Sequence, residues 1–292
     1  MELISICIPA YCNPQGIRRA LESISMQTYR NYEVVITDDT PDNSITDIVG
    51  EFIHIFTIRY FHNEIRLGSP ENFNRAIDLS RGSYIKILCH DDWFTHENSL
   101  AEFVSMLDNR TDVDLAFCLS QDVNFFDRSV SVRPLPRGFL RRLQNDYRII
   151  FPRNFIGSPS ATIFRRKIGI RFDSRLKWVV DILFYADILK KNHSIAFFNK
   201  PLVNIGVENP LQMTSLVKNN KALELFEWFY AYRKIYSATT VRPVVLYIFF
   251  RLIKKYKIQS TSEIPDFDLL PIGMQRIIKF FIWILNSLSF SK

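Results

Sequence analysis

Apolar and polar residues follow two alternating patterns along the first half of the chain. Runs of strand length, rich in apolar and β-branched residues, occur at residues 3–9, 32–37, 55–61 and 84–89. Apolar residues at helical spacing lie between or after these runs, at residues 17–26, 72–79 and 97–107. Strands separated by helices of this length predict right-handed crossovers, and therefore an α/β fold with a mainly parallel sheet flanked by helices.

The second half of the chain has a less regular pattern. After a further predicted strand at residues 113–120, the segment 121–153 has arginines scattered among apolar residues and predicts an irregular excursion over a cleft. Beyond about residue 215 the pattern changes to three helical segments rich in aromatic residues and lysine, at residues 222–236, 241–256 and 271–288. We therefore predict one α/β domain over residues 1–215 and a helical, basic and aromatic C-terminal region over residues 216–292.

The composition is typical of a folded globular protein and narrows the choice of partner. Of the 292 residues, 47% are hydrophobic and 23% are charged, which excludes a disordered chain. The 37 Lys and Arg residues against 30 Asp and Glu give a formal charge of +7, which favours nucleic acid, anionic lipid or a diphosphate substrate as partner. Nucleic acid is the weakest of the three, because no stacking platform or recognition motif accompanies the charge.

The beginning of the chain and its cysteines favour the cytoplasm. The first nine residues are too short and wrongly flanked for a secretory signal, and no apolar stretch reaches the roughly 18 residues of a membrane span. Cys7, Cys89 and Cys118 lie in strand-like apolar runs, where a reduced core thiol is expected. We expect a cytoplasmic protein, peripheral on the inner face of the membrane if its C-terminal helices bind lipid.

The C-terminal helices support two interpretations. Aromatic residues and lysines interleave at helical spacing in residues 249–257 and 274–285, as in helices that lie on anionic lipid. Alternatively, their apolar faces pack on the first domain or on a second copy of the chain.

Two adjacent carboxylates, Asp91 and Asp92, follow the fourth predicted strand. Ligands of open α/β sheets bind beyond the carboxyl ends of the strands, and the repulsion between two carboxylates there is relieved best by a divalent cation. A solvated turn or a helix cap is the alternative interpretation of this doublet. Asp38 and Asp39 follow the second strand and are expected at the same edge, so that a nucleotide with Mg²⁺ or Mn²⁺ on its phosphates could join the two sites.

Five short motifs occur along the chain in the order and spacing found in one protein family. They are residues 8–13 (IPAYCN), residues 34–40 (VVITDDT), Asn63 with Gly68 and Asn72, Ala76 with residues 81–85 (RGSYI), and residues 88–93 (LCHDDW). Over about residues 1–215 the chain resembles the family 2 glycosyltransferases of the GT-A fold. The resemblance implies an inverting, metal-dependent transfer from a nucleotide-diphospho-sugar to a hydroxyl of a glycan or lipid-linked acceptor, as in surface polysaccharide synthesis.

The resemblance also assigns donor-binding residues. Pro9 and Tyr11 would line the pocket for the base and ribose, Asp39 would bind the nucleoside, and Asn72 and Asp91 would complete the donor site.

The metal is assigned to the doublet. Asp92 would be the main ligand of Mg²⁺ or Mn²⁺, with Asp91 as its partner. Cys89 stands where the first carboxylate of an Asp-x-Asp-Asp motif would be, which is a departure from the common form. His90 is either an additional ligand or, as is more usual for a lone histidine beside a cleft, a hydrogen-bonding neighbour.

Inverting transfer needs a base for the proton of the acceptor hydroxyl. Asp181 lies where the family keeps that base, downstream of the turn at residues 157–160. The alternative is a first-turn carboxylate stabilised by the helix macrodipole, which would lower its pKa, whereas its apolar neighbours would raise it by desolvation. Asp187 is the second candidate and is more typical of a solvated face. The loop at residues 203–214 resembles one that closes over the donor diphosphate, and it offers Glu208, Gln212 and Thr214, whose roles the sequence leaves open.

Two other classes of function remain to be compared. A non-catalytic GT-A-shaped module that binds nucleotide or glycan would not need Asp39, Asp91, Asp92 and Asp181 together. A dehydrogenase would carry a Gly-x-Gly-x-x-Gly turn after its first strand, where this chain has Pro9-Ala10-Tyr11.

Overall fold

This computed structural model describes residues 2–108, 110–207, 219–236 and 242–289, and the strands among them join into one sheet. The strands are β1 (Ile4–Ala10), β2 (Tyr32–Asp38), β3 (Ile58–His62), β4 (Tyr84–Ile87), β5 (Trp93–Phe94), β6 (Leu115–Asn124), β7 (Val130–Val132), β8 (Thr162–Arg165) and β9 (Ile195–Val207). The helices are α1 (Pro14–Ser25), α2 (Ser44–Phe52), α3 (Ser69–Leu79), α4 (Ser99–Asp108), α5 (Phe139–Asn145), α6 (Val180–Lys191), α7 (Lys221–Ile235), α8 (Pro243–Lys255) and α9 (Ile272–Ser289).

The sheet has a parallel half and a mixed half. Its strand order is β3-β2-β1-β4-β8-β6-β9-β5, with β7 paired to β6. β1 pairs in parallel with β2 and β4, and β2 pairs in parallel with β3, as the alternation of strands and helices predicted. β8 runs antiparallel between β4 and β6, and β9 is parallel to β6 but antiparallel to β5. The predicted α/β fold is confirmed, with its parallel part at β1 to β4.

Alternating residues of β1 supply both cores of the α/β domain. Ile4, Ile6 and Ile8 belong to the core shared with α1, α2 and α4, whereas Cys7 faces the core shared with α3 and α6. This alternation follows from the two-residue period of a strand, and burial on both faces is usual for a central parallel strand. The arrangement leaves the carboxyl ends of β1, β2 and β4 as the open edge.

The segment after residue 120 is more regular than its sequence pattern indicates. β6 continues to Asn124 because its last residues pair with both β7 and β9, and the turn between β6 and β7 forms a hairpin. The helix α5 and a 3₁₀ turn, Tyr147–Ile150, follow. The predicted irregular excursion is therefore wrong for much of this segment, because strand pairing between distant residues leaves no local periodic signal.

The C-terminal helices pack on the α/β domain through aromatic rings. Phe151 lies at the centre of this contact, with ring centroids of Trp228 at 5.3 Å, Tyr236 at 5.6 Å and Phe249 at 6.5 Å. Of the two interpretations of these helices, packing on the domain accounts for their inner faces. None of the described helices is long and apolar enough to cross a membrane. The predicted boundary at residues 215 and 216 lies outside the described residues and stays a prediction.

Candidate active site

A cleft of about 380 Å³ opens at the carboxyl ends of β1, β2 and β4. Because these strands are parallel, the residues that follow each of them meet at one edge of the sheet. Seven site residues predicted from the sequence line this cleft: Pro9, Tyr11, Asp39, Asn72, Asp91, Asp92 and Asp181. Glu208, Gln212 and Thr214 lie outside the described residues.

Asp39 is buried at the end of the cleft formed by β1 and β2. Its carboxylate accepts hydrogen bonds from the backbone N–H groups of Leu67 at 3.0 Å and Gly68 at 2.9 Å, and from the side-chain amide of Asn63 at 2.5 Å. Asp38 points elsewhere and accepts a bond from the Tyr60 hydroxyl at 2.7 Å. Of the two adjacent carboxylates at the end of β2, only Asp39 lines the cleft.

The turn that Asp39 holds brings a cation into the cleft. The guanidinium of Arg66 lies 3.9 Å from the ring centroid of Tyr11, a cation–π contact. Asn72 fixes the strand ends below them, because its side-chain amide donates to the carbonyl oxygens of Ala10 at 3.2 Å and Thr37 at 3.0 Å. The sequence did not single out Arg66, since an arginine in a loop is usually solvated.

Asp92 is the most deeply buried carboxylate of the cleft, with 2% of its surface exposed. One oxygen accepts the N–H of Gly206 at 3.2 Å, and the other lies 3.5 Å from the Ser158 hydroxyl. Burial and then the adjacent charge of Asp91 raise the pKa of Asp92 well above its usual value. A carboxylate in such surroundings gains from a nearby cation.

The doublet fits a divalent cation by its chemistry. Among the ion pairs of the described residues, none reaches Asp91 or Asp92. Carboxylate oxygens are the ligands that Mg²⁺ and Mn²⁺ prefer, and these ions commonly take one or two of them with phosphate oxygens and water. Over the described part of the chain no group of three or more His, Cys, Asp or Glu side chains is disposed to hold a metal. His90 instead contacts the Pro9 carbonyl oxygen, with its Nδ1 at 3.3 Å.

Asp181 lies in the first turn of α6 and lines the same cleft as the residues at the strand ends. Its Oδ2 accepts a hydrogen bond from the Asn154 amide at 2.7 Å, and its Oδ1 accepts the N–H of Ile182 at 2.8 Å. These bonds lower the pKa of Asp181, but burial outweighs them and raises it to about 7. A carboxyl group that titrates near neutrality is suited to accept a proton. Asp187, which is exposed and does not line the cleft, has the solvated position expected for it.

Several further cleft residues come from the segment with the least regular pattern, residues 121–153, and from the residues directly after it. Asp122 and Arg133 form an ion pair of 2.6 Å on β6 and after β7, and Asn154 and Ser158 contact Asp181 and Asp92. Only Ser158 had a usable signal, because it belongs to the Gly-Ser-Pro-Ser turn at residues 157–160.

Three curated relatives match between 32% and 88% of the chain, and two of them carry glycosyltransferase names. It is 24% identical over 266 residues to the amylovoran biosynthesis glycosyltransferase AmsB of Erwinia amylovora, covering 88% of this chain and 86% of that protein. It is 35% identical over 94 residues to the Escherichia coli UDP-Glc:alpha-D-GlcNAc-diphosphoundecaprenol beta-1,3-glucosyltransferase WfaP, covering 32% of this chain and 37% of WfaP. An uncharacterized protein of Mycobacterium tuberculosis is 27% identical over 206 residues, 65% of this chain, and the chain spans 63% of that relative's length.

Solved structures share the fold at low sequence identity. S. aureus TarS in complex with UDP-GlcNAc is similar with a TM-score of 0.64 and 15% identity, over 100% of this chain and 93% of that one. The mannosyltransferase PcManGT from Pyrobaculum calidifontis, in complex with GDP-Man and Mn²⁺, has a TM-score of 0.59 and 14% identity, over 98% of this chain and 75% of that one. The predicted GT-A fold is confirmed. Residues 5–170, more than half of the chain, match the sequence model of one family, and the chain therefore belongs to glycosyl transferase family 2.

Proposed function

We propose that the protein is an inverting glycosyltransferase that moves a sugar from a nucleotide-diphospho-sugar to an acceptor hydroxyl in surface polysaccharide synthesis. One observation carries the proposal: Asp181, with a pKa raised to about 7, lines the same cleft as the Asp91–Asp92 doublet. A base and an anion-binding site within one cleft are what a single displacement at a sugar carbon requires.

The step itself is a displacement at the anomeric carbon. The acceptor oxygen forms a bond to that carbon while the bond from the carbon to the phosphate oxygen breaks, and the bonding electrons leave with the nucleoside diphosphate. The acceptor proton passes to the carboxylate of Asp181, whose orientation is held by the Asn154 amide at 2.7 Å. Attack from the side opposite the leaving group inverts the configuration.

Asp92 with Asp91 would hold Mg²⁺ or Mn²⁺ in this site. Such a cation, when bound, neutralises the charge of the departing diphosphate. The buried position of Asp92 and the hydrogen bond from the Gly206 N–H keep its carboxylate in place for that task. The complex of PcManGT with GDP-Man and Mn²⁺ supports the assignment by analogy of fold.

The donor's nucleoside would lie at the other end of the cleft. Pro9 and Tyr11 would line the pocket for the base and ribose. Asp39 would shape this pocket by holding the turn at Leu67 and Gly68, and Asn72 would shape it by holding the strand ends. Arg66 lies over Tyr11 and lines the cleft, so its charge would be available to an anionic donor.

The acceptor is proposed to be a glycan or a lipid-linked sugar, presented at an anionic membrane surface. The outward face of α9 exposes Ile272, Phe280 and Trp283 together with Arg276 and Lys279, and its sequence contains no acidic residue. Aromatic and cationic side chains on one helix face are typical of interfacial binding to anionic lipid. The protein would then act as a peripheral enzyme on the cytoplasmic face of the membrane.

Turnover of nucleotide sugars tests the function. We expect wild-type protein with Mn²⁺ to release nucleoside diphosphate from one of UDP-Glc, UDP-GlcNAc and GDP-Man, and Asp92→Asn and Asp181→Asn to abolish that release. Asp187→Asn on the same helix is the control and should retain it. Full activity of Asp92→Asn would refute the metal role. A non-catalytic module would give a different result. Nucleotide sugars would raise its melting temperature, but the wild type would release no nucleoside diphosphate with or without metal.

Flotation with lipid vesicles tests the membrane surface separately. We expect binding to vesicles rich in phosphatidylglycerol and little binding to pure phosphatidylcholine. The double variant Phe280→Ser and Trp283→Ser should remove it, whereas Ile65→Ser, at an even more exposed apolar residue outside the C-terminal region, should not. Equal flotation of both variants would refute this surface.

A further inference from the structure

Glu227 is a buried carboxylate on α7, in the C-terminal region, with 1% of its surface exposed. Its Oε1 accepts the backbone N–H of Lys177 at 2.6 Å, and its Oε2 accepts the N–H groups of Trp178 and Val179, both at 2.9 Å. One side chain from the C-terminal region therefore binds three consecutive backbone donors of the α/β domain.

These three donors directly precede α6. The N–H groups at the start of a helix have no partner within it, and an anion there also meets the positive end of the macrodipole. Val179 is the N-cap position of α6, and its own side chain makes no capping bond. Glu227 accepts from the N-cap residue itself and from the two residues before it, so it holds the backbone at the point where the chain enters α6.

The backbone that Glu227 binds leads directly to the reacting groups. The side chains of Lys177 and Trp178 line the cleft, and Asp181 follows two residues after Val179. A buried carboxylate that lost these donors would be left unsatisfied, and the segment would lose its attachment to α7. The contact therefore fixes where the cleft wall that carries Asp181 lies.

We propose that Glu227 is a positioning residue, which holds the turn carrying the catalytic base against the substrate and makes the C-terminal region part of the catalytic apparatus. The proposal rests on the role of Asp181 proposed above. It assigns Glu227 no contact with substrate, since it acts only through the backbone of residues 177–179.

Glu227 also acts on Asp181 through its charge. Its negative charge adds to burial in raising the pKa of Asp181. Tyr185, on the next turn of α6, is also near Asp181, and its hydroxyl donates to the Gly157 carbonyl oxygen at 3.2 Å. The charged side chains that line the cleft with Asp181 include Asp91, Asp92, Asp122, Arg133 and Lys177. Removing the charge of Glu227 should therefore lower the pKa of Asp181, which a loss of stability alone would not do.

The test compares Glu227→Gln with Glu224→Gln. Glu224 lies one turn earlier on α7 and is also buried, at 3% exposure, but its carboxylate binds Lys255 Nζ at 2.8 Å and the N–H of Asn219 at 3.0 Å. The titration midpoint of Asp181 is measured by ¹³C NMR of labelled aspartate carboxyls, with the signal assigned by its loss in Asp181→Asn. The pH dependence of nucleoside diphosphate release from the active donor is measured beside it.

We expect Glu227→Gln to move the Asp181 midpoint and the acidic limb of the rate profile to lower pH, and to reduce kcat about 10-fold or more through misplacement of the base. Glu224→Gln should leave both midpoints unchanged. Identical midpoints and identical kcat in the two variants would overturn the proposal.

A second variant covers a failure of Glu227→Gln to fold. Glu227→Asp keeps the charge but is one methylene shorter, so kcat should fall while the Asp181 midpoint moves less than in the glutamine variant; unchanged kcat would overturn the proposal. If the wild type turns over no donor, the proposed function fails. In that case the NMR midpoint of Asp181 tests whether Glu227 positions this residue. A midpoint shift confined to the Glu227 variants upholds the positioning, and the absence of a shift overturns it.

Discussion

Asp181→Asn should stabilise the protein at neutral pH while it abolishes transfer. The folded chain keeps the Asp181 proton up to a pKa of about 7, whereas the unfolded chain loses it near 3.8. Stability contributed by this group is therefore fully present below pH 3.8 and is lost as the pH rises to about 7. The difference between the two values corresponds to about 4 kcal/mol above pH 7.

Asparagine removes this penalty but keeps only one acceptor oxygen. This oxygen can accept the hydrogen bond from the Asn154 amide or the one from the Ile182 N–H, but not both. The loss of the other bond costs about 1–2 kcal/mol. We expect a net gain of about 2–3 kcal/mol in the free energy of unfolding at about pH 8, and almost none at about pH 5. The growth of the advantage with pH is the specific signature of a buried, titrating carboxyl.

Urea unfolding of both proteins at several pH values measures this difference. Asp47→Asn is the control, because Asp47 is an exposed carboxylate in the first turn of α2. Its loss should destabilise by about 0.3–1 kcal/mol with no rise toward pH 8, since an exposed first-turn carboxylate interacts favourably with the macrodipole. A constant difference between Asp181→Asn and wild type from pH 5 to pH 8 would refute the burial argument.

Three further predictions concern the cleft and the C-terminal packing. Gly206→Ala should abolish activity, because a Cβ there would lie 2.8 Å from the Asp91 carbonyl oxygen, and donor turnover measures it. Arg66→Ala should raise KM for the donor with little change in kcat, since it removes a cation 3.9 Å from the Tyr11 ring; steady-state kinetics distinguish the two. Phe249→Ala should lower the free energy of unfolding by about 3–5 kcal/mol in urea titrations, because its ring is fully buried against the aromatic residues of α7.

The acidic residues at the strand ends could be predicted from the sequence because their position depends on local pattern. Asp39, Asp91 and Asp92 each follow an apolar run of strand length, and parallel strands bring such ends to one edge. The limits of the fourth strand were less accurate, since β4 ends at Ile87 and Cys89 belongs to the turn that leads to Asp92. Strand ends are set by which backbone groups find partners, and apolar composition alone does not show this.

The contacts that support the site could not be predicted in the same way. Asn154 reaches Asp181 across 27 residues and Glu227 reaches Lys177 across 50, so no local period connects either pair. A glutamate within a helix ordinarily belongs to the solvated face, and Glu227 departs from that rule because three backbone donors meet it. Its burial became visible only when the packing of α7 on the α/β domain was known.

Three carboxylates on which the proposals depend share one feature of their surroundings. Asp92, Asp181 and Glu227 are carboxylates whose pKa values burial raises, and each is stabilised by hydrogen-bond donors rather than by a paired lysine or arginine in the described residues. Elsewhere, Glu224 is buried with Lys255 beside it. A fold selected for stability alone would pair or remove such groups. Their unpaired state leaves Asp92 able to bind a cation and Asp181 able to take a proton, so the stability lost at these positions is the physical condition for the proposed reaction.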